Sequence, residues 1–200
     1  MSGRDRILAR VRSALEDRGA SEHPGPFESW GAGEGSGDLL DAFTRRFRAA
    51  GGEVVVVPDR TAAAEWLRAF GTEFGSVTFG RGVPPALRWS APTASPETAE
   101  LGVSVARRAV AETGSLMLDA RDGRRSQLLV PNHVVAVEID ALYPTLDGAL
   151  RSVRGDLPSA LGLHSGPSKS ADIGQVMVTG VHGPGRVIAV VVSGSEVRAE

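Results

Sequence analysis

The chain has 200 residues, of which 42% are hydrophobic and 23% charged, with a formal net charge of −2 and a pI near 6.1. That length and apolar content suffice for one domain with a substantial core, and the near-balanced charge argues against a general binder of nucleic acid or anionic membrane. Cysteine is absent, which removes disulfides, a thiol nucleophile and the thiolate ligands of an iron–sulfur cluster. No apolar run reaches the roughly 18 residues of a membrane-spanning helix. The charged start, Met1-Ser-Gly-Arg-Asp-Arg6, does not resemble a secretory signal, so a cytoplasmic protein is expected.

The first predicted element is a helix over residues 4–17, with Ile7, Leu8, Val11 and Leu15 at helical spacing and Arg4, Arg6, Arg10 and Arg12 giving it a basic face. It suits packing against its own domain, or against a sister subunit of a homo-oligomer, better than a membrane, because Asp5, Glu16 and Asp17 interrupt the positive charge. Residues 1–18 are therefore read as an N-terminal amphipathic helix. Residues 19–37, rich in Gly, Pro, Ser and Glu, are read as a flexible linker with Phe27 and Trp30 as anchoring points. Residues 38–200 are read as one α/β domain. Asp38 is a good N-cap for a helix over 39–50, which Gly51-Gly52 ends.

From there strands and helices alternate. Glu53-Val-Val-Val-Val57 is a continuous apolar run, expected of a strand buried on both faces. A helix over 61–70 and a strand over 76–79 follow, and the four prolines between Pro84 and Pro96 mark an irregular connection. Residues 102–105 read as a strand, 106–111 as a short helix, 115–119 and 134–139 as strands, and 146–153 as a helix capped by Thr145. Residues 161–164 form a short strand, and 186–192 the last one, apolar and β-branched. The alternation predicts a mainly parallel sheet covered on both faces. Neither a G-x-G-x-x-G nor a Walker sequence is present.

Arginine dominates the 22 basic side chains, and Lys169 is the only lysine. It lies in Ser165-Gly-Pro-Ser-Lys-Ser-Ala-Asp172, a loop expected between a strand and a helix. There Gly166 permits close backbone approach, Ser168 and Ser170 offer hydroxyls, Lys169 supplies charge, and Asp172 can position it or act as a base. Open α/β sheets bind ligands at the carboxyl ends of their strands, so an anion such as a carboxylate or phosphate suits this loop. Equally, Ser170 and Asp172 can simply cap a helix. Val181-His-Gly-Pro-Gly185 is a turn whose His182 can serve as acid, base or anion donor beside Gly183, or as an ordinary hydrogen-bonding residue. Ala111-Glu-Thr-Gly-Ser115 places Glu112, Thr113 and Gly114 before a strand; Glu112 can be an acid–base group or nucleophile, or equally Thr113 and Gly114 only shape a turn while Glu112 pairs with an arginine. Val130-Pro-Asn-His-Val134 sets His133 at a strand edge, where a backbone-bonded buried histidine is the default. His133, His164 and His182 lack metal-ligand spacing, so no metal is expected. Arg121-Asp-Gly-Arg-Arg125 reads as a solvated turn, although Arg124 and Arg125 could reach an anionic substrate or partner.

Taken together these segments resemble the LUD (lactate-utilisation) domain family. The likeness rests on Ala111-Glu-Thr-Gly-Ser115, Val130-Pro-Asn-His-Val134, the stretch from Ser165 to Ile173 and Gly180-Val-His-Gly-Pro184, in the family's order, and extends over nearly the whole chain. Residue 170 is Ser where many members carry Thr, which keeps the hydroxyl. The resemblance implies a three-layer α/β/α fold with a mainly parallel central sheet, like that of the ribose-phosphate isomerase, glucosamine-phosphate deaminase and CoA-transferase group. It also implies a part in oxidising L-lactate to pyruvate beside two cysteine-rich iron–sulfur proteins. With no cysteine, this chain would carry none of those clusters and bind no cofactor, its own task being to hold a small carboxylate or support assembly. Two other readings stay open: an independent transferase- or isomerase-like enzyme on a phosphorylated or acyl substrate, and a non-catalytic interaction module docking through the arginine-rich helix.

Overall fold

The computed structural model of the protein describes residues 2–16, 38–171 and 177–194. The linker expected over 19–37, with Phe27 and Trp30, lies outside the described residues, as do Asp17 and Asp172. Helix α1 (Gly3–Glu16) belongs to one unit of the chain, and every other element to a second. Taken by itself, α1 is as amphipathic as expected and none of its residues is buried.

In the second unit the chain runs through α2 (Leu39–Ala49), β1 (Glu53–Val57), α3 (Arg60–Gly71), β2 (Val77–Phe79), β3 (Leu101–Val105), β4 (Arg108–Val110) and β5 (Ser115–Asp119). Then come α4 (Arg124–Leu128), β6 (Asn132–Glu138), β7 (Leu142–Tyr143), α5 (Leu146–Ser152), β8 (Leu161–His164), β9 (Lys169–Ala171), β10 (Met177–Thr179) and β11 (Arg186–Val192). The central sheet has the order β1-β11-β6-β3-β2, and every neighbouring pair in it is parallel. The expected α/β fold with a mainly parallel central sheet is therefore present.

The two-residue period of the strands feeds two cores. Val134, Ala136, Ile188 and Val190 point to one face and pack with Ala63, Leu67 and Phe70 of α3. Val135, Val137, Val187, Ala189 and Val191 point to the other, where they meet Phe43 and Phe47 of α2 together with Leu116 and Leu118 of β5. The covering on this second face is thus built from α2 and a second sheet, of order β7-β4-β5-β8, in which β5 runs antiparallel to both neighbours. Met117 points away from the central sheet and packs beneath α5 with Ala149 and Val153.

Both predicted caps are made. The Asp38 carboxylate accepts from Leu40 N–H at the start of α2, and Thr145 Oγ1 from Gly148 N–H at the start of α5. Three local readings need correction. Residues 108–110 form a strand, β4, rather than part of a helix, because a segment this short gains little from the helical propensity of alanine and arginine, and pairing with β5 and β7 outweighs it. Lys169–Ala171 form β9, paired antiparallel with β10, so among the described residues that loop leads into a strand rather than a helix. The stretch at 121–125 is no solvated turn throughout, since Asp122 is buried and α4 begins at Arg124.

Candidate functional site

Although the four motif segments are far apart in sequence, they meet at one place. Pro131 C=O accepts from Gly185 N–H (2.9 Å) and Arg186 N–H (3.2 Å), joining the starts of β6 and β11. Ser168 N–H donates to Pro184 C=O (2.8 Å), and Ser168 C=O accepts from Gly180 N–H (2.9 Å), so the lysine-bearing loop is sewn to the histidine-bearing turn. Gly183 lies against the Ser168 side chain. Ser165 Oγ is 2.6 Å from Ser115 Oγ, which is 2.7 Å from Thr113 Oγ1, so a chain of hydroxyls links the lysine-bearing loop to the Glu-Thr-Gly turn.

The C-terminal half of α2 supports two of these segments, the Glu-Thr-Gly turn and the lysine-bearing loop. Gly114 has φ +59°, and a Cβ there would come within 2.6 Å of Phe47 N, so this turn lies directly on the helix backbone. Arg46 Nη1 donates to Ala111 C=O at 3.2 Å, fixing the same turn. Gly166 rests against the Ala50 carbonyl, which also accepts from Lys169 Nζ. The lone lysine thus lies at the negative end of the α2 dipole and satisfies a carbonyl the helix leaves free. Lys169→Ala is expected to lower stability by up to about 1 kcal/mol through loss of this cap. An unchanged urea midpoint would show that the cap contributes nothing.

His133 sits at the second position of β6 and is 1% exposed. Its Nε2 lies 3.0 Å from Ser104 Oγ of β3, while Nδ1 is buried without a hydrogen-bond partner among the described residues. The His164 ring stands edge-on to it, with 6.1 Å between centroids. Burial, and after it the charge of His164, pushes the pKa of His133 down to about 3. Burial lowers that of His164 as well. At neutral pH the pair is therefore an uncharged donor and acceptor set between the two sheets.

The cluster lies at the amino ends of β1, β6 and β11, on the opposite edge of the central sheet from the one expected. His164 is at a carboxyl end, but of β8 in the second sheet, and that sheet's orientation carries the loop to the amino edge. Thr113, Gly114, His133, Gly166, Ser168, Lys169 and Gly183 are joined here through the contacts above. Ser170 is placed beside Lys169 on β9, opposite Val178. Glu112 turns aside, its Oε2 accepting from Leu146 N–H at 3.0 Å and capping α5. His182 is exposed, and Asp172 is outside the described residues. Ser115 and Ser165 lie within the sequence motifs, whereas Ser104 of β3 stands outside all of them. A serine amid the apolar residues of β3 is the one signal that could have pointed to Ser104.

Fold and site together define an α/β protein with a mainly parallel central sheet and a glycine-, serine- and histidine-rich cluster at its amino edge. Residues 94–192 match the LUD domain. Similar proteins include Lactate utilization protein C of Shouchella clausii, 36% identical over 103 residues that make up 48% of this chain and 45% of that protein. The protein of the same name from Geobacillus kaustophilus is 28% identical over 176 residues, 79% of this chain and 70% of the relative. A crystal structure of a DUF162 family protein from Deinococcus radiodurans shares the fold, with a TM-score of 0.60 at 20% identity over 78% of this chain and 96% of that one. The chain belongs to the LUD domain family. The matched segment spans less than half of the Shouchella clausii relative.

Proposed function

We propose that this protein takes part in lactate utilisation as a subunit of an L-lactate oxidation system that works beside cysteine-rich iron–sulfur proteins in the cytoplasm. Oxidising lactate to pyruvate removes a pair of electrons and a pair of protons. Iron–sulfur partners would accept the electrons, since this chain has no cysteine with which to hold a cluster on thiolates. Its own share would be to bind a small carboxylate or to support assembly. In the binding version Lys169 would leave the Ala50 carbonyl to meet the carboxylate beside Ser170, and His182 and Asp172 would handle protons, Glu112 being held as the cap of α5. The observation that supports this reading is the joining of the four motif segments to one another, two of them resting on the end of α2, beside the buried His133 and its neighbour His164. The names borne by the relatives supply the lactate.

Deleting the gene in its host and assaying L-lactate oxidation in extracts, with and without the purified chain, tests this. Oxidation should fall on deletion and return when the chain is added. An extract that oxidises lactate equally well without it would sink the reading.

A further inference from the structure

At the opposite, carboxyl edge of the central sheet a cleft of about 500 Å³ opens beyond β2 and β3. Arg107 and Arg121 on its wall are already engaged with carboxylates. Arg107 bridges Asp119 (3.0 Å) and Asp156 (2.6 Å), and Arg121 bridges the same two (2.8 Å each). Arg81, on the loop that follows β2, lines the same cleft, and its guanidinium has no hydrogen-bond or ion-pair partner among the described residues.

The loop that presents Arg81 is held from below. The Asp122 carbonyl accepts from Arg81 N–H at 2.8 Å, and Asp122 Oδ1 accepts from Gly82 N–H. A Cβ on residue 80 would lie 2.4 Å from Asp122 Oδ2, so only glycine permits this close approach. Asp122 is 7% exposed, and its Oδ2 is buried with no hydrogen-bond partner among the described residues, an unmet polar group that is costly to keep. A loop fixed at this cost, carrying an uncommitted arginine into a cleft at the edge where open α/β sheets take ligands, has the layout of a binding site.

We propose that this cleft binds a small carboxylate, with the Arg81 guanidinium as its anchor. The chemistry follows from the neighbouring arginines, which already take carboxylates there, and from the planar fork by which arginine matches that group. Asp156, largely exposed and bridging two guanidiniums, is an internal anion that limits the positive charge offered to a ligand. This site is separate from the motif cluster, and its existence does not depend on the chain's part in lactate utilisation.

The test is a calorimetric titration of the full chain with L-lactate, pyruvate and inorganic phosphate. Both carboxylates should bind, and Arg81→Met should weaken them about tenfold or more while leaving the unfolding temperature unchanged. Asp156→Asn keeps the backbone carbonyl contact to Arg107 and removes a negative charge, so it should tighten binding several-fold. The proposal fails if neither the native chain nor Asp156→Asn binds a carboxylate, if Arg81→Met binds as well as the native chain, or if phosphate binds through Arg81 and the carboxylates do not.

Discussion

Gly114→Ala should destabilise the protein by about 2–4 kcal/mol, far more than an exposed loop substitution usually costs. Two penalties coincide. The residue has φ +59°, a conformation in which a side chain is strained, and the new Cβ would press on Phe47 N at 2.6 Å and Arg46 Cβ at 2.7 Å. The nearest obstacle is helix backbone, so no rotamer change relieves it. The Glu-Thr-Gly turn or α2 must shift, and α2 carries Phe43 and Phe47, both fully buried in the second core. Because the same helix end also supports Gly166 and Lys169, the change should loosen the loop at 165–169 and raise its amide exchange. Gly155→Ala is the control, since a Cβ there meets nothing within 4 Å. Equal urea midpoints for the two variants would refute the packing account.

Acidification should produce the second large effect. His133 ionises near 6.5 when unfolded, and only at about 3 in the folded protein, because burial and the neighbouring His164 disfavour its charge. Between those values the unfolded chain binds the proton and the folded chain does not. The stability that His133 contributes is therefore complete above 6.5 and is lost as pH falls toward 3. Near pH 4.5 the loss amounts to about 2–3 kcal/mol, and His164, shifted in the same direction, adds to it. Urea unfolding at neutral and acidic pH, compared between the native chain and His133→Gln, measures this. The variant keeps a polar partner for Ser104 and should lose distinctly less stability on acidification. Equal acid sensitivity in both would mean that His133 is not held neutral.

Local chemistry made much of the fold legible. Val-rich runs gave β1, β6 and β11, and Asp38 and Thr145 gave the helix starts, because such signals act over a few residues. Strand β4 was not legible. Its Arg-Ala-Val sequence has no strong preference, and its conformation comes from β5 and β7, neighbours that only the folded chain supplies. The same holds for β9, which depends on β10. At the candidate site, the motif residues stood out as glycines, serines and histidines in punctuated loops, but their roles did not. Lys169 reads as an anion ligand in sequence, yet in the fold its ammonium rests on the carbonyl that ends α2. The carboxyl-edge cleft left almost no trace, since Arg81, Arg107, Arg121 and Asp156 are ordinary surface residues until the strands bring them together.

By itself the sequence determined the α/β class, the absence of cysteine chemistry, and which segments carry the glycine-, serine- and histidine-rich motifs, because composition, periodicity and turn residues act locally. The tertiary structure decided which edge of the sheet those segments occupy and what Lys169 touches. It also decided that His133 is buried, which pushes its pKa down, and that Arg81 lines a cleft at the other edge of the sheet. Those outcomes depend on strand order and on burial between layers, which bring together groups as distant along the chain as Ala50 and Lys169.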